Sequence, residues 1–506
     1  MLLRMIRAIL FSMQKPIRAI VGRFSADFSV RIMERVLVQH PFEFCGIISS
    51  GVQPRYFQAI PSQHQQWFAS SQVRGCEYPG VQWQELLPLD EELIESMREC
   101  EAIFMEMVSR LEWKKSVPYD TRKQWYFRHL RFWNDYLKRH RINLYLSAWV
   151  PHEIPDIVIY YLCKLRNIPV VYFAISSIRD TSFIEHDWEE GNRQTKKRYT
   201  ELLARYAGIT DPITIPLHER FEQPYRALTH SAGQTPPIEE QEVYVPFKTI
   251  AYRLLLHKPF SFLRYALLYL SPSGIRRATG AWKRWRVRRR ARAFYDAHAT
   301  EPDLSRSFVY MPLHFQPEAT TVPQAGGYAD QLLVAQMLNA YLPDGVLIYV
   351  KEHPRPSATQ KRGIEFYKKF VDLPKVRFMP RSFNTFVLRE HCRATVTSAG
   401  TAGFEGLLRG KPVLLFGHCY YQYAPGAYRI HTCEDCREAI RAVFDEGRAP
   451  TSLECRLYLK ALEETCIYGV TDPFCYNVSR LTEEENALSC SRAIMEELST
   501  CFGVAA

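Results

Sequence analysis

The sequence predicts an α/β protein made of two doubly wound domains, and three observations predict it. Short apolar runs alternate with amphipathic stretches along most of the 506 residues, as strands alternate with helices. Several of those runs are followed directly by a compact polar motif, as happens where parallel strands hand over to helices. Residues 251–300 break the alternation with aromatic and basic side chains, and the chain divides there. A chain of this length exceeds one hydrophobic core, which suits two domains with connecting pieces.

Residues 1–23 read as an amphipathic N-terminal segment. Arg4 and Arg7 interrupt its apolar run, which fits a helix lying on a membrane surface better than a signal peptide. Residues 24–250 read as the first domain. Glu43–Ser49 is a strand candidate, Glu91–Leu111 and Thr121–Arg139 have helical periodicity, and Ile142–Trp149, Ile154–Arg166 and Ile168–Ile175 follow as strand, helix and strand. Residues 251–300 read as a connector, interrupted by Pro259, Pro272 and Gly274. Residues 301–445 read as the second domain, with strands at Ser307–Tyr310, Val346–Val350, Val376–Met379, Ala394–Thr397 and Pro412–Phe416. Residues 446–506 read as C-terminal helices, at Leu453–Glu464 and Glu483–Leu498.

Three motifs stand at expected strand ends of the second domain. In Ser398-Ala-Gly400-Thr401-Ala-Gly403-Phe-Glu405, small and hydroxyl residues lie between a strand end and a helix start. Free N–H groups and the helix dipole favour an anion there, such as a nucleotide phosphate. The spacing of Gly406 to Lys411 and the Pro412 that follows exclude a P-loop, and no G-x-G-x-x-G accompanies it. His353-Pro354 closes a second strand, the proline stiffening the turn that presents the imidazole. Gln316-Pro317-Glu318 follows the first strand of the domain. The Gln316 amide both donates and accepts, which suits sugar hydroxyls or a base edge, and Glu318 either binds the same ligand or caps the next segment. Asp330 and Gln331 read as a solvated or supporting pair.

These motifs, in their order over about residues 305–430, resemble the bacterial capsule polysaccharide biosynthesis proteins, a family that includes Kdo-transferring enzymes of the two-Rossmann (GT-B) glycosyltransferase architecture. The resemblance implies a GT-B-like fold, with the C-terminal helices crossing back to the first domain. It implies that His353-Pro354 contacts the phosphate of a CMP-activated sugar, and that the donor is a CMP-linked ulosonic acid such as Kdo. A histidine there would donate a hydrogen bond or a proton to the departing phosphate. The acceptor's proton needs a carboxylate, which in this architecture comes from the first domain. Asp180 and Glu153 are the first candidates, being nearest the strand ends, followed by Glu185 and Asp187. The donor site is thus expected to comprise Gln316, Pro317, Glu318, His353, Pro354, Ser398, Gly400, Thr401 and Glu405, with no metal and no cofactor besides the nucleotide-sugar substrate. A UDP-sugar transferase or epimerase of the same fold, and a non-catalytic capsule assembly or export partner, are the alternative readings.

The net charge of +11 is local: Arg276–Arg292 holds nine basic and no acidic residues, and 11 − 9 leaves +2 elsewhere. With Trp282 and Trp285 interleaved and no nucleic-acid-binding motif, this stretch is expected to meet an anionic membrane surface rather than RNA or DNA. Thirteen scattered cysteines lack the spacing of a disulfide scaffold, and Cys433-x-x-Cys436 has no second pair at zinc-finger spacing. No run reaches the length of a spanning helix. The expectation is a peripheral protein on the cytoplasmic face of the inner membrane.

Overall fold

The computed structural model describes residues 16–51, 57–111, 116–230, 272–316, 318–353 and 362–503. The first sheet runs through β1 (Arg18–Gly22), β2 (Phe44–Ser49), β3 (Gln65–Ala69), β4 (Leu144–Ser147), β5 (Val170–Ile175) and β6 (Ser182–Glu185). Their spatial order is β3-β2-β1-β4-β5-β6, parallel throughout except for the β5–β6 pair. The second sheet comprises β7 (Phe308–Pro312), β8 (Leu347–Lys351), β9 (Val376–Phe378), β10 (Ala394–Thr397), β11 (Val413–Leu415) and β12 (Ala427–Arg429), all parallel, in the order β12-β11-β10-β7-β8-β9. Both are the doubly wound order, which reverses direction between β1 and β4 and between β7 and β10. The expected pair of Rossmann-like domains is present.

Helices cover both faces of each sheet. Those used below are α1 (Asp27–Gln39), α2 (Arg98–Met107), α3 (Tyr119–Arg139), α4 (Ile154–Leu165), α5 (Arg193–Arg205), α6 (Glu219–His230), α7 (Pro272–His298), α8 (Gln331–Tyr341), α9 (Ile364–Val371), α10 (Thr385–His391), α11 (Thr401–Leu408), α12 (Cys433–Ile440), α13 (Ser452–Thr465) and α14 (Glu483–Phe502). Alternate residues of a strand go to opposite faces. Ile20 of β1 joins the core under α2, α3 and α4, whereas Ala19 and Val21 join the core under α1 and α14. Buried on both faces, these strands read as continuous apolar runs, which is why most were legible in the sequence.

Several boundaries differ from expectation. The central strand β1 lies inside the 1–23 segment read as an amphipathic piece, because its five residues are too short a run to separate from the apolar residues before it; residues 1–15 lie outside the described residues. The connector is not a separate piece at its end. Helix α7 finishes inside the second domain, where Ala291 and Tyr295 are buried and the Tyr295 hydroxyl donates to Met379 O at 2.7 Å. Residues 251–271 lie outside the described residues.

The C-terminal helices tie the halves together. Capping boxes at Thr451/Glu454 and Thr482/Glu485 start α13 and α14 by satisfying N–H groups at each helix start. Ala487, Cys490, Ile494 and Leu498 of α14 complete the core of the first domain. Helix α13 packs on α5 and α11, and its buried Arg456 pairs with Glu222 of α6 at 2.7 Å.

Candidate functional site

Ligands of open α/β sheets bind beyond the carboxyl ends of the strands where the order reverses. In the second sheet that point lies between β7 and β10. His314 follows β7 and Ser398 follows β10, and the two meet: the Ser398 N–H donates to His314 Nε2 at 3.0 Å, and the Thr397 hydroxyl lies 3.0 Å from the same nitrogen. Thr397 Oγ1 in turn accepts the Gly400 N–H at 3.0 Å, so its proton is directed at the imidazole. An Nε2 that accepts a backbone N–H is unprotonated. Burial, with Arg362 and His353 nearby, pushes His314 down to about 4 and keeps it neutral.

His314 is itself clamped. Gln331, buried at the start of α8, accepts the His314 N–H at 2.6 Å and donates to its carbonyl at 3.3 Å. That carbonyl also accepts from Arg362. Gln331 is therefore a buried support, while its neighbour Asp330 caps α8.

The glycines of the 398–405 motif turn out to serve packing. A Cβ on Gly400 would lie 2.5 Å from His314 Cε1, and one on Gly403 would lie 2.5 Å from the Tyr421 hydroxyl. Protein side chains occupy the space beside both glycines. What stays open is the start of α11. Thr401 is exposed, Gly400 caps the helix with no side chain of its own, and Ser398 is buried behind it. Glu405, expected on the nucleotide, pairs with buried Arg389 of α10.

His353 stands at the end of β8, beside the β7 end. Its backbone N–H donates to Glu352 Oε1 at 2.8 Å, and its ring meets Phe315 edge-on with centroids 6.5 Å apart. Glu352 is buried, paired with Arg362 and accepting from the Tyr367 hydroxyl, while its own N–H donates to the Tyr295 hydroxyl at 3.0 Å. One carboxylate thus fixes the turn that presents His353, and through Arg362 it is joined to His314. The sequence did not mark this Glu352–Arg362 pair, because burial of a charged pair has no local pattern. Pro354 and Pro317 lie outside the described residues.

The Gln316 amide is taken up locally, donating to Ala329 O at 3.1 Å and facing Gln331 at 3.4 Å. Glu318 is exposed and its backbone is closed into a turn by Thr321, with N–H to hydroxyl at 3.1 Å and hydroxyl to carbonyl at 3.0 Å.

In the first domain, the segment that carries Asp180, Glu185 and Asp187 contains strand β6. Asp180, buried at φ +63, accepts the Arg480 N–H with both oxygens at 3.2 and 3.3 Å. That carboxylate fastens the approach to α14. Glu153 forms an ion pair with Arg74 at 2.9 Å. Glu185 is buried on β6, where desolvation raises it to about 8 despite a 3.2 Å hydrogen bond from the Tyr172 hydroxyl.

Beside the α11 start, toward β11 and β12, lies a cleft of about 330 Å³ lined by Ala325, Gly326, Gly327, Tyr328, Phe416, His418 and His431. The close approach that joins it to the motif is made by Gly417, whose Cβ would lie 2.7 Å from Ser398 O. It sits at the domain seam. Val322 and Ala329 belong to the first domain's core cluster, and His418 Nδ1 donates to Glu189 O at 3.1 Å. Nothing in the sequence marked His418 or His431. Cys433 and Cys436 share the first turn of α12, one exposed and one buried, and among the described residues no group of His, Cys, Asp and Glu is arranged to hold a metal.

Residues 263–437 match the family model described as capsule polysaccharide biosynthesis protein. No curated protein sequence matches the chain. Among solved structures, the chain is similar to the beta Kdo 2,7 transferase of Thermosulfurimonas dismutans KpsC at 12% identity, TM-score 0.32, over 71% of this chain and 88% of that one. The beta Kdo 2,4 transferase of the same protein matches at 15% identity, TM-score 0.30, over 63% and 79%. The UDP-GlcNAc 2-epimerase of Methanocaldococcus jannaschii matches at 10% identity, TM-score 0.24, over 89% and 100%. Likenesses this distant carry no information about substrate.

Proposed function

We propose that this chain, which belongs over residues 263–437 to the capsule polysaccharide biosynthesis protein family, is a glycosyltransferase that moves a sugar from a nucleotide donor to a glycan or glycolipid acceptor. The observation that carries this reading is the open start of α11 at the point where the strand order reverses, with His353 at the neighbouring strand end. A nucleotide phosphate placed there meets the exposed Thr401 and the positive end of the helix. His353 donates to the leaving phosphate, and the buried Glu352–Arg362 pair keeps its turn in place. The reading needs neither a metal nor a further cofactor, because helix and imidazole supply the positive potential. The donor we favour is CMP-linked, an ulosonic acid such as Kdo, and the acceptor binds against the first domain.

The same reading puts the protein on the cytoplasmic face of the inner membrane. Helix α7 exposes Trp282 and Trp285, with the guanidinium groups of Arg286 and Arg289 over their rings at 4.7 and 5.2 Å. Exposed aromatics among cations suit an anionic leaflet, to which each Lys or Arg adds about 1 kcal/mol. No described helix is long and apolar enough to cross a membrane.

The test is turnover. Purified protein is incubated in EDTA with a CMP-linked or a UDP-linked ulosonic acid or hexosamine and an oligosaccharide acceptor, and both nucleotide release and acceptor mass are followed. Acceptor gaining one sugar residue from the CMP-linked donor is the expected result. Nucleotide sugar epimerised without an acceptor product would replace the reading with the epimerase alternative.

A further inference from the structure

Of the thirteen cysteines in the chain, Cys433 and Cys436 are the two nearest each other in sequence. They are the first and fourth residues of α12, whose start is fixed by a capping box between Thr432 and Asp435. Side chains three positions apart share one face of a helix. Helical rise and radius put their Cα atoms about 5 Å apart, inside the ~4.4–6.8 Å span of disulfide-bonded cysteines. The Cβ separation on a regular helix, about 5–6 Å, has to shrink by about 1 Å for a disulfide to close. The first turn can yield that much, because its leading N–H groups are not tied into the helix's own hydrogen bonds.

The two thiols differ in access. Cys433 is exposed, whereas Cys436 is buried in the second domain's core with Phe416, Ala439 and Ile440. Burial, with the Cys433 thiol beside it, pushes Cys436 up to about 12 and holds it as a thiol. Cys433 also stands within hydrogen-bonding reach of the Tyr341 hydroxyl of α8, and the Arg437 guanidinium lies over that ring at 5.1 Å. A reagent in solution therefore meets Cys433 first and reaches Cys436 only through it. Two thiols do not complete the four ligands of a structural zinc site, and the nearby Asp435 carboxylate is occupied, accepting the N–H groups of His431 and Thr432 at 2.9 and 2.8 Å.

We propose that Cys433 and Cys436 form a redox-active dithiol, oxidised reversibly by a small-molecule disulfide of the glutathione class. The Cys433 thiolate attacks one sulfur of glutathione disulfide; that S–S bond breaks, and one glutathione thiolate leaves and takes up the proton Cys433 gave to solvent. Cys436 then attacks Cys433 Sγ. The mixed disulfide breaks, and the second glutathione thiolate leaves and takes up the proton of Cys436. Two protein thiols are oxidised, and one glutathione disulfide is reduced to two thiols. The exposed thiol is thus the attacking group and the buried one the resolving group. This site does not depend on the glycosyl-transfer reading.

Trypsin cuts after Arg429 and Arg437, so both cysteines fall in one peptide, Ile430–Arg437, which holds no other. Reduced full-length protein is equilibrated, well below its melting temperature, with mixtures of oxidised and reduced glutathione, quenched with N-ethylmaleimide, digested and weighed by mass spectrometry. As the oxidised fraction rises, this peptide is expected to lose two hydrogens and both maleimide labels, and dithiothreitol added before the quench should restore both. Cys436→Ser should instead accumulate glutathione on Cys433, because no resolving thiol remains; if that variant does not fold, Cys436→Ala takes its place. Cys433→Ser should leave Cys436 unmodified. Wild type that keeps both labels in fully oxidised glutathione, wild type that stops at a glutathione adduct, or Cys433→Ser protein modified at Cys436 would overturn the proposal.

Discussion

The imidazole of His314 occupies the space that a side chain at Gly400 would need, with only 2.5 Å between His314 Cε1 and an ideal Gly400 Cβ. The end of β7 and the start of α11 are therefore one fitted unit. Gly400→Ala must push the ring out of its contact with Ser398 N–H, and overpacking of this kind costs about 1–3 kcal/mol. Urea unfolding should register that loss, and nucleotide affinity should fall with it. An alanine variant as stable as wild type would show that His314 moves freely.

His314 also predicts a pH dependence. Its pKa falls from the ordinary 6.5 to about 4 on folding, so the unfolded chain binds the extra proton between those values. Stability from this group is complete above pH 6.5 and is lost as pH falls toward 4. His314→Gln, whose amide oxygen also accepts from Ser398, should flatten the slope of unfolding free energy over that window. An unchanged slope would mean that the imidazole is protonated in the fold.

Glu185 works in the opposite direction. Its carboxyl is raised from 4.5 to about 8 by burial, so folding takes up a proton and stability falls as pH rises between those values. Glu185→Gln should remove that decline and make the protein more stable at pH 8 than wild type, as read by thermal melts at pH 5 and 8. Equal melting shifts at both values would contradict a neutral Glu185.

His353→Ala should lower transfer by about 10²-fold or more, the scale of a lost acid or charge-stabilising group, without changing the melt. Glu352→Gln leaves Arg362 buried opposite a neutral amide, and breaking such a pair costs about 3–5 kcal/mol. Full turnover by a well-folded His353→Ala variant would take the histidine out of the mechanism.

Charge reversal at the exposed Arg286, Arg289 and Arg290 should release the protein from anionic vesicles in low salt and spare nucleotide affinity. Co-sedimentation of the triple variant with those vesicles would remove the membrane role of α7.

What the sequence disclosed follows from burial. Strands covered on both faces, such as β4, β5, β8 and β10, are continuous apolar runs and were legible within two residues. Strand β6 was not: Ser182-Phe-Ile-Glu185 pairs antiparallel at a sheet edge and carries a buried acid, so it reads as a polar loop, and Asp180 beside it reads as a free carboxylate. Strand β3, Gln65-Gln-Trp-Phe-Ala69, is half exposed and equally silent. The Ser398–Thr401 motif and His353 were found because helix starts and strand ends have local signatures. His314, Glu352, Arg362 and His418 were not assigned, since their roles rest on partners between 10 and 229 positions away in sequence.

The most direct test of the central claim, a nucleotide site at the open start of α11, is calorimetry of wild type and Thr401→Glu against CMP, UDP and GDP in EDTA. A glutamate in the first helical turn suits the dipole and leaves the fold intact, but its charge opposes a bound phosphate. Wild type should bind one of the nucleotides without metal, and Thr401→Glu should lose about tenfold or more of that affinity with an unchanged melt. No binding by wild type, or equal binding by the variant, would contradict the claim.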